Sequence, residues 1–279
     1  MRRTAVAAGS FYPASPERLK FSIEEAFTSS LGPGHIPDKP DQPLKKHSSV
    51  IVPHAGYIYS GPVAAHAYAE ISKLGKPELV VLVGPNHTGY GRPIGVYNRG
   101  TWVTPFGELH VSTDAAEIFL QYCDEANADF KSHISEHSIE VQLPFLQYLF
   151  DDFQILPIAV FPIFIKSCEK IAIALDHIAE NFPSTLFVFT TDFNHYESDE
   201  ITVKKDQMVI DKILTKDPTG LYSVVAKEKV TMCGLSVVTS FLFMKHFGLP
   251  RLLKHATSGD VTGERSQVVG YASFICESI

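Results

Sequence analysis

The run Leu79-Val80-Val81-Leu82-Val83 is apolar at every position, and it constrains the fold more than any other stretch of the chain. A strand with one wet face alternates apolar and polar residues, whereas a strand that is apolar throughout is covered on both sides. Such a strand needs a layer of helices above and below it. The rest of the chain supplies the parts. Short β-branched or aromatic runs at 49–52, 78–83, 153–160, 185–190, 251–255 and 267–275 read as strands. Helical periodicity fills the intervals at 63–74, 114–127, 138–150, 165–181, 201–214, 218–226 and 234–247. Pro144 falls inside 138–150, so that helix is kinked or begins later. A first helix is expected over 15–27, with Ser15 as N-cap, Pro16 at the first helical position, and Leu19, Ile23 and Phe27 on one face. Residues 28–49 carry Pro33, Pro37, Pro40 and Pro43 and read as an extended surface connection, too near the N-terminus to separate two domains. No internal repeat is visible. The expectation is one α/β domain over residues 1–279, with a central mostly parallel or mixed sheet and helices on both faces.

Composition narrows the function classes. Hydrophobic residues make up 45% and charged residues 20%, which is globular rather than disordered. With 24 Lys+Arg against 31 Asp+Glu, the net charge of −7 argues against a general nucleic-acid binder. The longest uncharged stretches, 153–165 and 230–244, fall short of the roughly 18–20 apolar residues that span a bilayer. The first residues contain no long apolar segment of the kind found in export signals. Cys123, Cys168, Cys233 and Cys276 are scattered and form no CxxC pair, so they do not read as a disulfide framework. A reducing cytoplasm is the expected compartment.

Twelve histidines matter chiefly for where they fall. Three predicted strands each run into a histidine-bearing turn: Pro53-His54-Ala55-Gly56-Tyr57, Gly84-Pro85-Asn86-His87 and Thr191-Asp192-Phe193-Asn194-His195. Ligands of open α/β sheets bind beyond the carboxyl ends of strands, so three parallel neighbours would bring these histidines to one crevice. One such histidine usually caps a turn. Three in the same topological position argue for a site, and neutral imidazole suits Fe, Cu and Zn. Cys233, in Thr231-Met232-Cys233-Gly234, is the best further ligand, because a helix N-terminus favours its thiolate. A buried, inert thiol explains that position equally well. Cys123, Cys168 and Cys276 look structural. In Ser135-Glu136-His137-Ser138-Ile139-Glu140, Glu136 and Glu140 would share a helix face. An acidic helix start is favourable in any protein, so this segment alone does not mark a site.

Taken in order, these motifs resemble the Memo family, whose prokaryotic members are called AmmeMemoRadiSam system protein B. The resemblance begins at Ala8-Gly9-Ser10-Phe11-Tyr12-Pro13 and continues through the three histidine turns, Thr104-Pro105-Phe106-Gly107 and Glu136-His137-Ser138-Ile139-Glu140. It closes with Met232-Cys233-Gly234, Ser258-Gly259-Asp260 and Val269-Gly270-Tyr271-Ala272, and so covers almost the whole chain. The family is similar in fold to class III extradiol ring-cleaving dioxygenases, which use non-haem Fe(II). The resemblance implies metal ligation by His54 and His87, with Cys233 where those dioxygenases have a glutamate. It implies an acid/base role for His195, with Asp192 and His137 at neighbouring pocket positions. Soft thiolate in place of carboxylate shifts preference towards copper or zinc and alters the iron potential, so ring cleavage does not follow from the fold.

Three readings result. The first is an oxidoreductase using Fe(II) or copper on an unknown small-molecule substrate. The second is a non-catalytic module for phosphopeptides or other ligands, motivated by family association and by Asn86, Ser258 and Thr262. No long arginine cluster supports that module. The third is a zinc-dependent hydrolase, which would work without a GxSxG nucleophile elbow. Family association also implies AMMECR-type and radical-SAM partners; the chain itself has no CxxxCxxC motif for a cluster.

Overall fold

The computed structural model describes residues 1–279. In chain order the elements are β1 (Arg2–Arg3), α1 (Pro16–Thr28), β2 (Ser48–Val52), α2 (Tyr57–Ser72), β3 (Leu79–Pro85), β4 (Ile94–Val96), β5 (Thr101–Thr104), β6 (Gly107–His110), α3 (Thr113–Tyr122), β7 (Asn127–Ala128) and α4 (Leu143–Leu149). They continue with β8 (Gln154–Val160), α5 (Ile165–Asn181), β9 (Thr185–Thr190), β10 (His195–Glu197), α6 (Asp199–Leu214), α7 (Pro218–Glu228), α8 (Leu235–Phe243), β11 (Arg251–Thr257), α9 (Ser258–Thr262) and β12 (Val268–Glu277).

Nine strands form one mixed sheet in the order β10-β12-β2-β9-β3-β8-β4-β7, with β11 paired to β12. Its centre, β2-β9-β3-β8, is parallel. Its flanks depart from the parallel pattern, since β12 runs antiparallel to β2, β10 and β11, and β4 antiparallel to β8. Alternate side chains of β3 enter opposite cores, as the apolar run requires. Val81 and Val83 pack with residues of α3, α5, α6, α7 and α8, while Val80 and Leu82 pack with α1, α2 and α4. Burying each such side chain contributes about 1.5–3 kcal/mol. No helix is long and apolar enough to cross a membrane.

Helix α1 begins as expected, with Ser15 Oγ accepting from the Arg18 amide and Pro16 in the first turn. Several boundaries differ. The region 138–150 does not form one helix: a 3-10 turn at Glu140–Gln142 precedes α4, and Pro144 occupies the first turn of α4, where its missing N–H is an orphan donor anyway. Helix α3 stops at Tyr122, short of the expected 127, and Asn127, expected as its last residue, instead joins Ala128 in β7, which pairs with β4. Helix α8 stops at Phe243, short of the expected 247. Helix α2 starts six residues earlier than its periodicity suggested, because Gly56 caps it and Pro62 lies inside it. A second, three-stranded sheet, β1-β5-β6, was not apparent in the pattern; its strands of two to four residues are too short to show a period. The connection after α1 is mostly exposed, with Leu44 buried and its amide bonded to Lys76 O at 2.8 Å.

Candidate metal centre

The strand order decides the site. Because β9 lies between β2 and β3, the turns carrying His54, Asp192–His195 and His87 leave three adjacent parallel carboxyl ends. Cys233 comes from a separate segment, just before Gly234 caps α8. The ligand atoms of His54, His87 and Cys233 lie within 4.8 Å of one another. His54 Nε2 stands 3.2 Å from Cys233 Sγ. Tetrahedral bonds of the usual lengths separate nitrogen and sulfur ligands by about 3.5 Å, close to the His54–Cys233 spacing, and the whole set lies within a span that a transition-metal ion could draw together.

Neighbouring groups fix how each imidazole is presented. His54 is buried, and its Nδ1 pairs with Thr190 Oγ1 at 2.5 Å, which leaves Nε2 towards the sulfur. His87 Nδ1–H donates to Glu136 Oε1 at 2.9 Å, and its backbone N–H donates to the other oxygen at 2.5 Å. Carboxylate–histidine pairing of this kind orients metal-binding imidazoles and raises their basicity. Glu136 also accepts from the Ser138 amide at 2.9 Å. Burial opposes its charge, but the hydrogen bond and charge of His87 outweigh that, and the carboxyl is held at about 2.

Glu136 was not singled out as a site residue, because a carboxylate at a presumed helix start needs no functional explanation. The expectation that it shares a helix face with Glu140 is wrong. Glu136 precedes the 3-10 turn and reaches His87, whereas Glu140 turns the other way, to Arg3 and Tyr12. His87, Glu136 and His137 also bring three donor atoms together. The bonds that occupy Glu136 favour an orienting role for it.

The remaining expected residues gather round the same crevice. Asp192 Oδ1 accepts from the His54 amide at 2.9 Å, and its Oδ2 lies 3.9 Å from His54 Nε2. Its own backbone N–H donates to Cys233 Sγ at 3.2 Å. Burial pushes the Asp192 carboxyl up and His54 down. Burial, followed by the charge of Asp192, also raises the Cys233 thiol, so the expected thiolate-favouring effect of the helix start is overridden. A bound cation would reverse that balance, since a coordinating thiol is deprotonated.

His137 stacks between His87, at 4.9 Å, and Phe11, at 4.1 Å. Burial lowers it to about 4. His195 donates from Nδ1 to Thr231 O at 2.8 Å, and its Nε2 has no hydrogen-bond partner in the protein. Its amide donates to Thr231 Oγ1 at 2.7 Å, and Asn194 Oδ1 accepts from the Thr231 amide at 3.2 Å. Tyr196, the next residue, has φ 60°, a strained position for a bulky side chain. Phe11, Thr190 and Thr231 were not expected at the site; their contacts depend on tertiary placement.

The polar residues suggested for ligand capture are engaged in hydrogen bonds with nearby segments of the chain. Asn86 Oδ1 accepts from the Thr88 amide at 2.9 Å, Ser258 Oγ accepts from the Val269 amide at 3.0 Å, and Thr262 Oγ1 donates to Ser258 O at 3.1 Å.

Residues 2–275 match the family described as Memo-like protein. The chain is 46% identical over 276 residues to a "MEMO1 family protein" of Thermotoga petrophila, covering 99% of each chain. A Thermotoga maritima relative of the same description is 45% identical with 99% of each chain covered, and one from Saccharolobus islandicus is 43% identical with 97% and 98% covered. Among solved structures, an uncharacterized protein from Escherichia coli K12 is similar in fold, with TM-score 0.53 and 10% identity over 82% of this chain and 98% of that one.

Proposed function

The chain belongs to the Memo family, and from that premise we propose that it is a metal-dependent oxidoreductase acting on a small molecule. His54, His87 and Cys233 would hold Fe(II) or copper, with zinc as the redox-silent alternative. When bound, the metal supplies redox capacity and open coordination positions for O₂ and a chelating substrate. The observation that carries the reading is the donor set itself: two oriented imidazoles from the carboxyl ends of β2 and β3 and a sulfur from the start of α8, all within 4.8 Å.

The chain's own residues have distinct tasks in this reading. Glu136 and Thr190 fix the two imidazoles, and Asp192 ties the His54 backbone to the Cys233 loop. His195, with its proton held on Nδ1 by Thr231 O, presents Nε2 to accept a substrate proton. His137, stacked between Phe11 and His87, walls the crevice beside it.

The test is anaerobic purification with elemental analysis, Cys233→Ser alongside. Near-stoichiometric iron or copper, lost in the variant, is the expected result. Zinc would transfer the reading to hydrolysis, and no metal even after reconstitution would sink the coordination argument. Once a substrate is found, His195→Ala should lower turnover by about 10²–10⁴-fold and leave the metal bound. The phosphopeptide-module reading is weaker, because Asn86, Ser258 and Thr262 are occupied by hydrogen bonds within the chain.

A further inference from the structure

The fourth parallel strand, β8, carries no histidine at its carboxyl end. Its turn instead presents Ile163 and Phe164, and these face Met232, Cys233 and Leu235 across a cavity of about 360 Å³. That volume lies in the range of small-molecule sites. The cavity therefore shares Cys233 with the metal centre and adjoins it on the β8 side of the sheet.

Its chemistry differs from that of the crevice. No charged side chain lines it. Its two hydroxyls already have partners: Tyr222 Oη donates to Ile163 O, and Ser236 Oγ accepts from the Ile163 amide at 3.0 Å. Apart from the sulfur, the walls offer an incoming group mainly hydrocarbon and aromatic surface. Phe164 is 86% exposed, a large apolar side chain held at the mouth with nothing packed over it.

We infer that this cavity receives the apolar portion of the substrate whose polar end reaches the histidines. The substrate class is thus a small amphipathic molecule with a chelating oxygen head and a hydrocarbon or aromatic tail. The inference rests on the metal-site reading, and the test separates the two.

Straight-chain hydroxamic acids of two to eight carbons serve as probes, since their head chelates and their tail length varies. Binding is measured by calorimetry to zinc-loaded and metal-free protein. The chain has only four methionines, so a ¹³C-methyl label on methionine makes Met232 a local reporter, assigned with Met232→Leu. Affinity for the zinc-loaded protein should rise about fourfold per added methylene until the cavity fills, with the Met232 methyl signal moving in step. Phe164→Ser alters an exposed side chain at an N-cap position and should flatten that dependence. Leu235→Trp, which fills the space, should abolish it while the shortest probe still binds. Affinity independent of chain length, with the Met232 signal unmoved, would overturn the cavity assignment and leave the metal site standing. A length-dependent Met232 shift equally strong without zinc would support the cavity and overturn the metal-site reading.

Discussion

Glu140 is the residue whose loss should be felt most widely. It is fully buried, and its two oxygens accept from Arg3 Nη1 at 2.5 Å, the Val6 amide at 2.9 Å, the Ala7 amide at 2.8 Å and Tyr12 Oη at 2.6 Å. Arg3 in turn donates to His133 O at 2.7 Å and Glu136 O at 2.6 Å, and its guanidinium lies 4.0 Å over the Trp102 ring. Glu140→Ala would strand a buried cation and three further donors. Removing one partner of a buried ion pair costs about 3–5 kcal/mol. At about 2.1 cal/mol/K per residue, a chain of 279 residues unfolds with an entropy near 0.6 kcal/mol/K. The melting temperature should therefore fall by about 5–8 °C. Urea unfolding followed by tryptophan fluorescence suits the measurement, because Trp102 is the only tryptophan and sits under Arg3. Replacing both partners, Arg3→Met with Glu140→Leu, removes the stranded charge but not the orphaned Val6 and Ala7 amides and Tyr12 hydroxyl, so recovery should be partial. A loss below about 1 kcal/mol in Glu140→Ala would refute the argument, because orphaned buried donors cost more than that.

Other expectations follow from the site. Glu136, held at about 2 against an ordinary 4.5, contributes stability that is present above pH 4.5 and drains as pH falls towards 2. Glu136→Gln should therefore lose about 2 kcal/mol less stability between pH 6 and pH 3 than the parent, read from urea midpoints; equal losses would contradict it. His133 and His137, lowered by burial to about 3 and about 4 from 6.5, act in the same direction. Their contribution is complete above pH 6.5 and falls away below it, so both proteins should still weaken between pH 6.5 and pH 4. Gly234→Ala would place a methyl group 2.5 Å from Thr191 Cβ and 2.6 Å from Thr190 O. It should cost about 1–3 kcal/mol by overpacking and weaken metal retention with it, measured by calorimetric melting and dialysis. An unchanged metal content would show that Cys233 tolerates displacement.

Much of the fold was legible because burial dictates sequence period. The runs at 79–83 and 185–190 are apolar on both faces, and the structure places β3 and β9 at the sheet centre. The helix at Ile165–Asn181 was legible to the residue from its single apolar stripe. The antiparallel flanks were not, since β12 pairing with β2 depends on a return of the chain from more than 200 residues away. At the site, His54, His87, His195 and Cys233 were legible as chemistry-bearing residues at strand ends or a helix start. Glu136 was not, because its meaning depends on facing His87, 49 residues earlier. Asn86 showed the converse: a polar loop residue suggested for ligand capture closes its own turn.

The insertion of β9 between β2 and β3 also sets the order in which the centre can be made. A nascent chain that has emerged only through β8 carries His54 and His87, but not the strand that separates and aligns their supports. Cys233 is added later still, and β12, which closes the other side of β2, comes last. Pairings between such distant segments form slowly, after most of the chain-closure entropy has been lost. If the centre takes a metal as proposed, capture is therefore a late event in biogenesis, coupled to completion of the sheet rather than to its nucleation. A ribosome-bound fragment ending before residue 185 would hold two of the three donors and should bind metal no better than an unstructured peptide.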